Sequence, residues 1–158
     1  MARCKGEVKR TVLCFLFRGP DLLMIHKKRG QGAGKLNVPG GKLQPGESEQ
    51  EAAIRETSEE TGLRPKGLRL AGRLEFYFPE SEEWDNSCAV FTAEESTGAL
   101  VPETEECSAL WVPRASIPLE KMWDSDRLWL PLLLAGKPFH RAYVFDRHEK
   151  VVAERDLN

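Results

Sequence analysis

The sequence predicts a mixed α/β (α+β) sandwich in which helices cover a sheet. Three observations predict it. Short apolar runs with strand-like alternation recur along the chain. Two well-separated segments carry helical patterning. Clusters of Gly, Pro, Asn and Asp divide these segments from one another. The 158 residues fit one domain, 1–158, with enough chain to bury a single core.

The elements follow in order. Val8 to Phe17 and Leu22 to Lys28 read as strands, joined by a turn at Arg18, Gly19, Pro20 and Asp21. Gly30 to Gly34 is a glycine-rich loop. Asn37 to Gly46 reads as a second loop, broken by Pro39, Gly40, Gly41, Pro45 and Gly46. Ser48 opens a helix, and Glu51 three residues on completes a capping-box pattern. Gly62 is placed to stop that helix, whose packing face is Ala53, Ile54, Thr57 and Thr61. Strand patterning returns from Leu68 to Phe78, with an acidic turn over Pro79 to Asn86. Ser87 to Ala93 and Ala109 to Val112 read as further strands. Asp124 to Leu134 reads as a second helix with Trp123 at its entrance. Arg141 to Phe145 and Val151 to Arg155 read as a hairpin around His148.

Composition narrows the function classes. The chain is 41% hydrophobic and 30% charged, ordinary for a globular protein. A net charge of -2 provides no global field for nucleic acid or acidic membranes, so polymeric nucleic acid and membrane partners are not expected. The basic and then apolar start, Met1 to Phe17, resembles a signal peptide only superficially. Arg18 interrupts it, and no small-residue cleavage site follows. No apolar stretch nears the ~20 residues of a membrane helix. Cys4, Cys14, Cys88 and Cys107 form no CxxC pair, and the histidines lack zinc spacing. Reduced thiols, a cytoplasmic location and a monomer are the expectation.

The chemistry concentrates in Gly41 to Leu63. Glu56, Glu59 and Glu60 fall at i, i+3 and i+4, on one helical face. Like charges this close repel, so they need a cation. Hard carboxylate oxygens suit Mg²⁺, or Mn²⁺. Taken alone, the spacing also fits a solvated acidic face.

The whole segment resembles the signature of the Nudix hydrolase superfamily, G-x5-E-x7-R-E-U-x-E-E-x-G-U, where U is a bulky apolar residue. Gly41, Glu47, Arg55, Glu56, Glu59, Glu60, Gly62 and Leu63 fall in register, with Thr57 at the first U position. With residue frequencies near ~7%, a chance match in such a chain is on the order of one in a million. The resemblance implies a Nudix-type α/β/α sandwich, its mixed sheet flanked by the Nudix helix and a C-terminal helix. It implies Glu56, Glu59 and Glu60 as metal ligands, with Gly40 and Glu106 added to that set. Arg55 orients a carboxylate, Glu47 or a helix glutamate, and a glutamate takes the proton of the attacking water. Glu106 is the candidate from a loop, and Glu56 and Glu59 are those from the helix.

Beyond the box, Lys27 to Lys42, Glu103 to Val112 and Met122 to Asp146 resemble the animal-type oxidised purine nucleoside triphosphatases of that superfamily. This implies Mg²⁺-dependent hydrolysis of 8-oxo-dGTP, 2-hydroxy-dATP and related triphosphates to monophosphate and pyrophosphate. Asn37 and Asp126 would read the purine edge and Trp123 would stack on its face, with Phe76, Phe78 and Lys27 completing the substrate set. Strand alternation sends Phe76 and Phe78 to one face, and for one of them sheet core is the competing reading. The pattern has adjacent aspartates after the tryptophan. Here Ser125 stands at the first and Asp126 at the second, with Asp124 as a partial substitute. Leu36 stands where the pattern has a tryptophan. Alternatives are another Nudix substrate (an ordinary dNTP, a dinucleoside polyphosphate, ADP-ribose or a capped RNA end), a non-catalytic Nudix binding module, or a scaffold with an acidic helix.

Overall fold

A computed structural model describes residues 8–158. Cys4 and the first residues of the basic start lie outside them. Strand β1 (Lys9–Arg18) is the axis of the molecule. It runs parallel to β7 (Asn86–Ala93) along most of its length. Its other edge is shared. Thr11 to Leu13 pair with β4 (Gly40–Lys42), while Phe17 and Arg18 pair with β2 (Asp21–Lys27) through the expected turn. The sheet therefore splays at β1, and the split opens a cleft.

On one side the sheet continues through β6 (Arg69–Tyr77), β10 (Phe139–Phe145) and β11 (Val151–Asp156). On the other, β2 pairs with β3 (Leu36–Asn37) and β9 (Cys107–Pro113). A separate ribbon pairs β5 (Leu63–Lys66) with β8 (Glu95–Gly98).

Alternation along β1 sorts the core into two layers. Val12 and Cys14 pack with Ala89 and Phe91 against Ala52 and Ala53 of helix α1 (Glu49–Thr61). Phe15 and Phe17 face the other way. There they join Val90, Leu74 and Tyr143 against Trp129, Leu130 and Leu133 of helix α2 (Asp126–Leu134). The helices thus cover opposite faces, as an α/β/α sandwich requires.

Helix α1 begins as its sequence dictates. Ser48 Oγ accepts the Glu51 N–H, and the Glu51 carboxylate accepts the Ser48 N–H. It ends at Gly62, which is left-handed at φ 80°. Thr57 and Thr61 are fully buried, their hydroxyls donating to the carbonyls one turn back. Ala52 is buried with them, whereas Ile54 is only half-buried and does not anchor the face.

Several elements depart from expectation. Asn37 to Gly46 is not one uninterrupted loop, because it contains the end of β3 and all of β4. The glycines that read as breakers permit close pairing instead. A Cβ on Gly40 would lie 2.1 Å from the Val12 carbonyl. The β5–β8 ribbon carried no signal either: β8 is wholly exposed and polar, and β5 contains Pro65. The acidic turn holds a 3₁₀ turn, Glu82–Trp84. Among the described residues no helix is long and apolar enough to cross a membrane.

Gly62 supplies a stability test. A Cβ there would lie 2.4 Å from the Ala99 carbonyl, on a backbone that side chains rarely adopt. Gly62→Ala is expected to cost about 2 kcal/mol or more, read as a lower urea midpoint with an unchanged slope.

Candidate active site

Helix α1 presents its acidic face to the β4 strand. Arg55 organises it. Its Nε–H donates to Glu47 Oε2 (2.7 Å) and its Nη2 to Glu47 Oε1 (3.0 Å), a two-point grip on one carboxylate. Nη2 also donates to the Lys42 carbonyl (3.0 Å). Nη1 donates to Glu56 Oε1 (2.8 Å) and Glu59 Oε2 (3.2 Å). Arg55 therefore meets Glu47 and a helix carboxylate together, where the sequence left these as alternatives.

The three glutamates differ in environment. Glu59 is well exposed, its side chain 59% accessible, whereas that of Glu56 is 18% accessible. Glu60 is buried and accepts the Gly40 N–H at Oε1 (2.9 Å). Burial pushes the Glu60 carboxyl up to about 7, opposed by the Gly40 hydrogen bond and aided by the nearby Glu56 charge. Burial also raises Glu56, against the pull of Arg55. Hydrogen bonds from Arg55 and the Gln44 N–H hold the Glu47 carboxyl below its usual range. A Cβ on Gly41 would sit 2.6 Å from the Glu56 carboxyl, so only glycine lets β4 pass there. Among the described residues no three His, Cys, Asp or Glu side chains form a ready-made cation cage. Arg55 lies between Glu56 and Glu59 and donates to both.

Glu106 lies on the loop before β9. Its side chain is exposed and paired with Arg29, whose Nε donates at 3.1 Å and whose Nη2 also contacts it. That pairing lowers its pKa, and its charge still reaches Glu60. Lys27 donates to the Gln31 carbonyl (2.9 Å), and its charge bears on both Glu60 and Glu106.

Beside this face, in the splay of the sheet, lies a cavity of about 420 Å³. Gly40, Gly41 and Lys27 form its acidic-side wall, and Asn37, Trp123 and Asp126 lie within it. Phe76 and Phe78 both line it; Phe78 is also core, while Phe76 is half-buried. The aromatic rings brace one another. Phe78 stacks on Phe145 at 4.8 Å, and Trp123 meets Phe78 edge-on at 5.9 Å. Lys35 lies over the Trp123 ring at 5.1 Å, and Gly32 abuts the indole edge. Trp84 also lines the cavity, perpendicular to Trp123. Sequence reasoning missed it, because its neighbours read only as an acidic turn. Thr11 and Asn86, also in the lining, bond one another (2.8 Å) and carried no motif.

Asp124 does not substitute for the missing aspartate. Its Oδ1 accepts from Arg127 (3.1 Å) and its Oδ2 from the Val151 N–H (2.9 Å), so it ties α2 to β11 outside the cavity. Asp126 is buried, and its Oδ2 accepts the Trp123 N–H (3.1 Å). Asn37 Oδ1 accepts the Val38 N–H (2.8 Å). Leu36, at the expected tryptophan position, is buried in the core. Cys14, Cys88 and Cys107 are free and buried, and Cys88 forms part of the cavity floor. Burial pushes the Cys14 and Cys88 thiols up to about 11 and about 12.

An acidic helix ended by glycine, an arginine hub and an adjoining aromatic cavity thus stand side by side. A model of the NUDIX domain matches residues 7–133, and the chain belongs to that family. It is 38% identical over 148 residues to the oxidized purine nucleoside triphosphate hydrolase of Danio rerio, covering 93% of each chain. It is 36% identical over 141 residues to the Mus musculus protein of the same name, covering 89% of each. In fold it is similar to a crystallised MutT protein from Bacillus halodurans, with a TM-score of 0.81, 24% identity, and 94% and 97% of the two chains covered.

Asp126 yields a pH test. Burial pushes its carboxyl up to about 7, so the folded protein holds that proton more tightly than the unfolded chain. This contribution to stability is present in acid and is lost as pH rises towards the folded-state value. Asp126→Asn is expected to raise Tm at about pH 8 relative to the parent, the difference shrinking towards about pH 4. Thermal melts across that range check it, and a constant difference contradicts the burial argument.

Proposed function

We propose that this protein hydrolyses oxidised purine nucleoside triphosphates, of the 8-oxo-dGTP and 2-hydroxy-dATP class, to the monophosphate and pyrophosphate. The observation that carries this reading is adjacency. A phosphate-competent acidic helix and an aromatic cavity share one wall, made by Gly40 and Gly41. The names and coverage of the zebrafish and mouse relatives support the substrate class.

The donor set fits a divalent cation. It offers hard oxygens, one of them on the buried Glu60, beside a glycine strand that leaves the space open. Glu56, Glu59 and Glu60 would hold the ion, with Gly40 and Glu106 at its margin, and magnesium suits them better than softer metals, manganese being a substitute. When bound, such an ion neutralises phosphate oxygens and acidifies water.

The chain's own residues do the rest. Arg55 fixes the Glu56 and Glu59 carboxylates, whose charges would otherwise repel each other. Lys27, on the wall between cavity and carboxylates, suits a phosphate oxygen. One glutamate accepts the proton of the attacking water as it adds to phosphorus and the anhydride oxygen leaves with pyrophosphate. Glu56 and Glu59 are candidates on the helix, and Glu106 on the loop must first leave Arg29. Trp123 stacks on the base, Asn37 and Asp126 bond its edge, and Phe76 and Phe78 exclude water. Buried free thiols favour a reducing, cytoplasmic setting, with the protein acting as a monomer on free nucleotides.

Glu59→Gln is expected to lower kcat by at least about a hundredfold with the melting temperature held within a few degrees. Unchanged kcat contradicts the role of that carboxylate. Chelation is expected to abolish turnover, and added Mg²⁺ to restore it and raise Tm. In a turnover panel, 8-oxo-dGTP should exceed dGTP by about tenfold or more, since an unpaired buried polar group costs about 1–3 kcal/mol. A tenfold preference for ADP-ribose or a dinucleoside polyphosphate over every oxidised purine contradicts the substrate class.

A further inference from the structure

Trp123 is held by more than its aromatic neighbours. Phe78, Trp84 and Phe145 meet its ring at steep angles, between 73° and 86°. Lys35 lies over the flat of the ring, its Nζ 5.1 Å from the centroid. Trp123 lines the cavity, whereas Lys35 stands outside that lining. The main chain of Lys35 is tied down: its N–H donates to the Gly32 carbonyl (2.9 Å) and its carbonyl accepts the Lys27 N–H (3.1 Å).

An ammonium on a flexible stem needs a second restraint to stay over a ring. Glu149 supplies it. Its Oε1 lies 3.6 Å from Lys35 Nζ, and both side chains are partly shielded, Lys35 at 26% and Glu149 at 36% accessible. Glu149 belongs to the turn between β10 and β11, and among the described residues it is the one non-glycine with a positive φ, 62°. The turn is locked around it. Asp146 Oδ1 accepts the His148 N–H (2.8 Å) and the Lys150 N–H (3.0 Å), and the Asp146 carbonyl accepts the Glu149 N–H (3.0 Å). A long acidic side chain is unfavourable in this left-handed position, which glycine adopts freely. A local cost of this kind, borne where glycine would serve the turn better, points to a use for the side chain.

We propose that Glu149 and Lys35 are positioning residues for nucleotide binding: Glu149 anchors the Lys35 ammonium, and the ammonium fixes the plane of the Trp123 ring that stacks on the base. This rests on reading the cavity as the base pocket. Neither residue touches the substrate. Trp is the aromatic partner that holds a cation best. A ring already fixed in its stacking plane loses less freedom when the nucleotide binds.

The test uses the full chain with 8-oxo-dGTP and Mg²⁺. Glu149→Gly is expected to raise KM about fivefold, to change kcat less than about twofold, and to leave Tm equal or higher, because glycine relieves the positive φ. Lys35→Met keeps the stem and loses the charge, and should also raise KM about fivefold. Lys35→Arg should bring KM back to within about twofold of the parent, since a guanidinium pairs with a carboxylate and lies over a ring. In a Trp123→Ala background, Lys35→Met should raise KM no further, because the ring through which it acts is gone. An unchanged or lower KM for Glu149→Gly overturns the proposal, a lower one being what direct capture of substrate by a released Lys35 gives. A Lys35→Met penalty that persists in full without Trp123 overturns it too. So does a lower Tm for Glu149→Gly, which makes the ion pair a brace of the fold. These failures leave the base pocket standing if Trp123→Ala alone raises KM; an unchanged KM for Trp123→Ala overturns the base-pocket reading as well.

Discussion

Everything in the acidic half of the molecule depends on Arg55. Crowding Glu56, Glu59 and Glu60 on one helical turn, with Glu47 opposite, sets like charges in a half-buried place. A flat guanidinium with five donors can answer several carboxylates and a carbonyl at once. A lysine, with a single compact charge, lacks that reach. β4 is glycine-rich for two reasons. Gly41 lies against the Glu56 carboxyl, and Gly40, which offers its N–H to Glu60, has the Val12 carbonyl where a side chain would be.

The splay of β1 is the second constraint. One strand hydrogen-bonds to β4 near its start and to β2 at its end. The gap between them becomes the cavity, roofed by Trp123 at the entrance of α2 and floored by β7 and β6 side chains. Charge chemistry and aromatic recognition are thereby built from adjacent stretches of the same sheet. Their separation along the chain is large, but the sheet closes it.

Much of this was legible in the sequence, for identifiable reasons. The helix from Ser48 to Gly62 was legible because capping and termination are local. The strands β1, β2, β7 and β10 were legible because cover on both faces of the sheet makes them short apolar runs bounded by turn residues. Asn37, Trp123, Asp126, Phe76 and Phe78 were named through resemblance, and they line one cavity together with Gly41 of the box, while Arg55 and the box glutamates lie behind its glycine wall. What stayed hidden was tertiary. Nothing local marks β8, whose residues are exposed and polar, as a strand. Asp124 was expected to substitute in part for an aspartate one position later, but a helix start turns adjacent side chains in different directions. Trp84 gave no periodic signal because it sits on a single 3₁₀ turn. The partner of Glu106, Arg29, is distant in sequence and joined to it only by the meeting of two loops.

The sulfur chemistry of the interior has a further meaning. A thiol reacts with peroxide as its anion, and burial around Cys14 and Cys88 keeps that anion scarce at neutral pH. A protein whose proposed substrates arise under oxidative attack needs a scaffold that the same attack leaves alone. Housing sulfur as inert filler, including in the floor of the cavity, gives dense packing without a fuse that blows first.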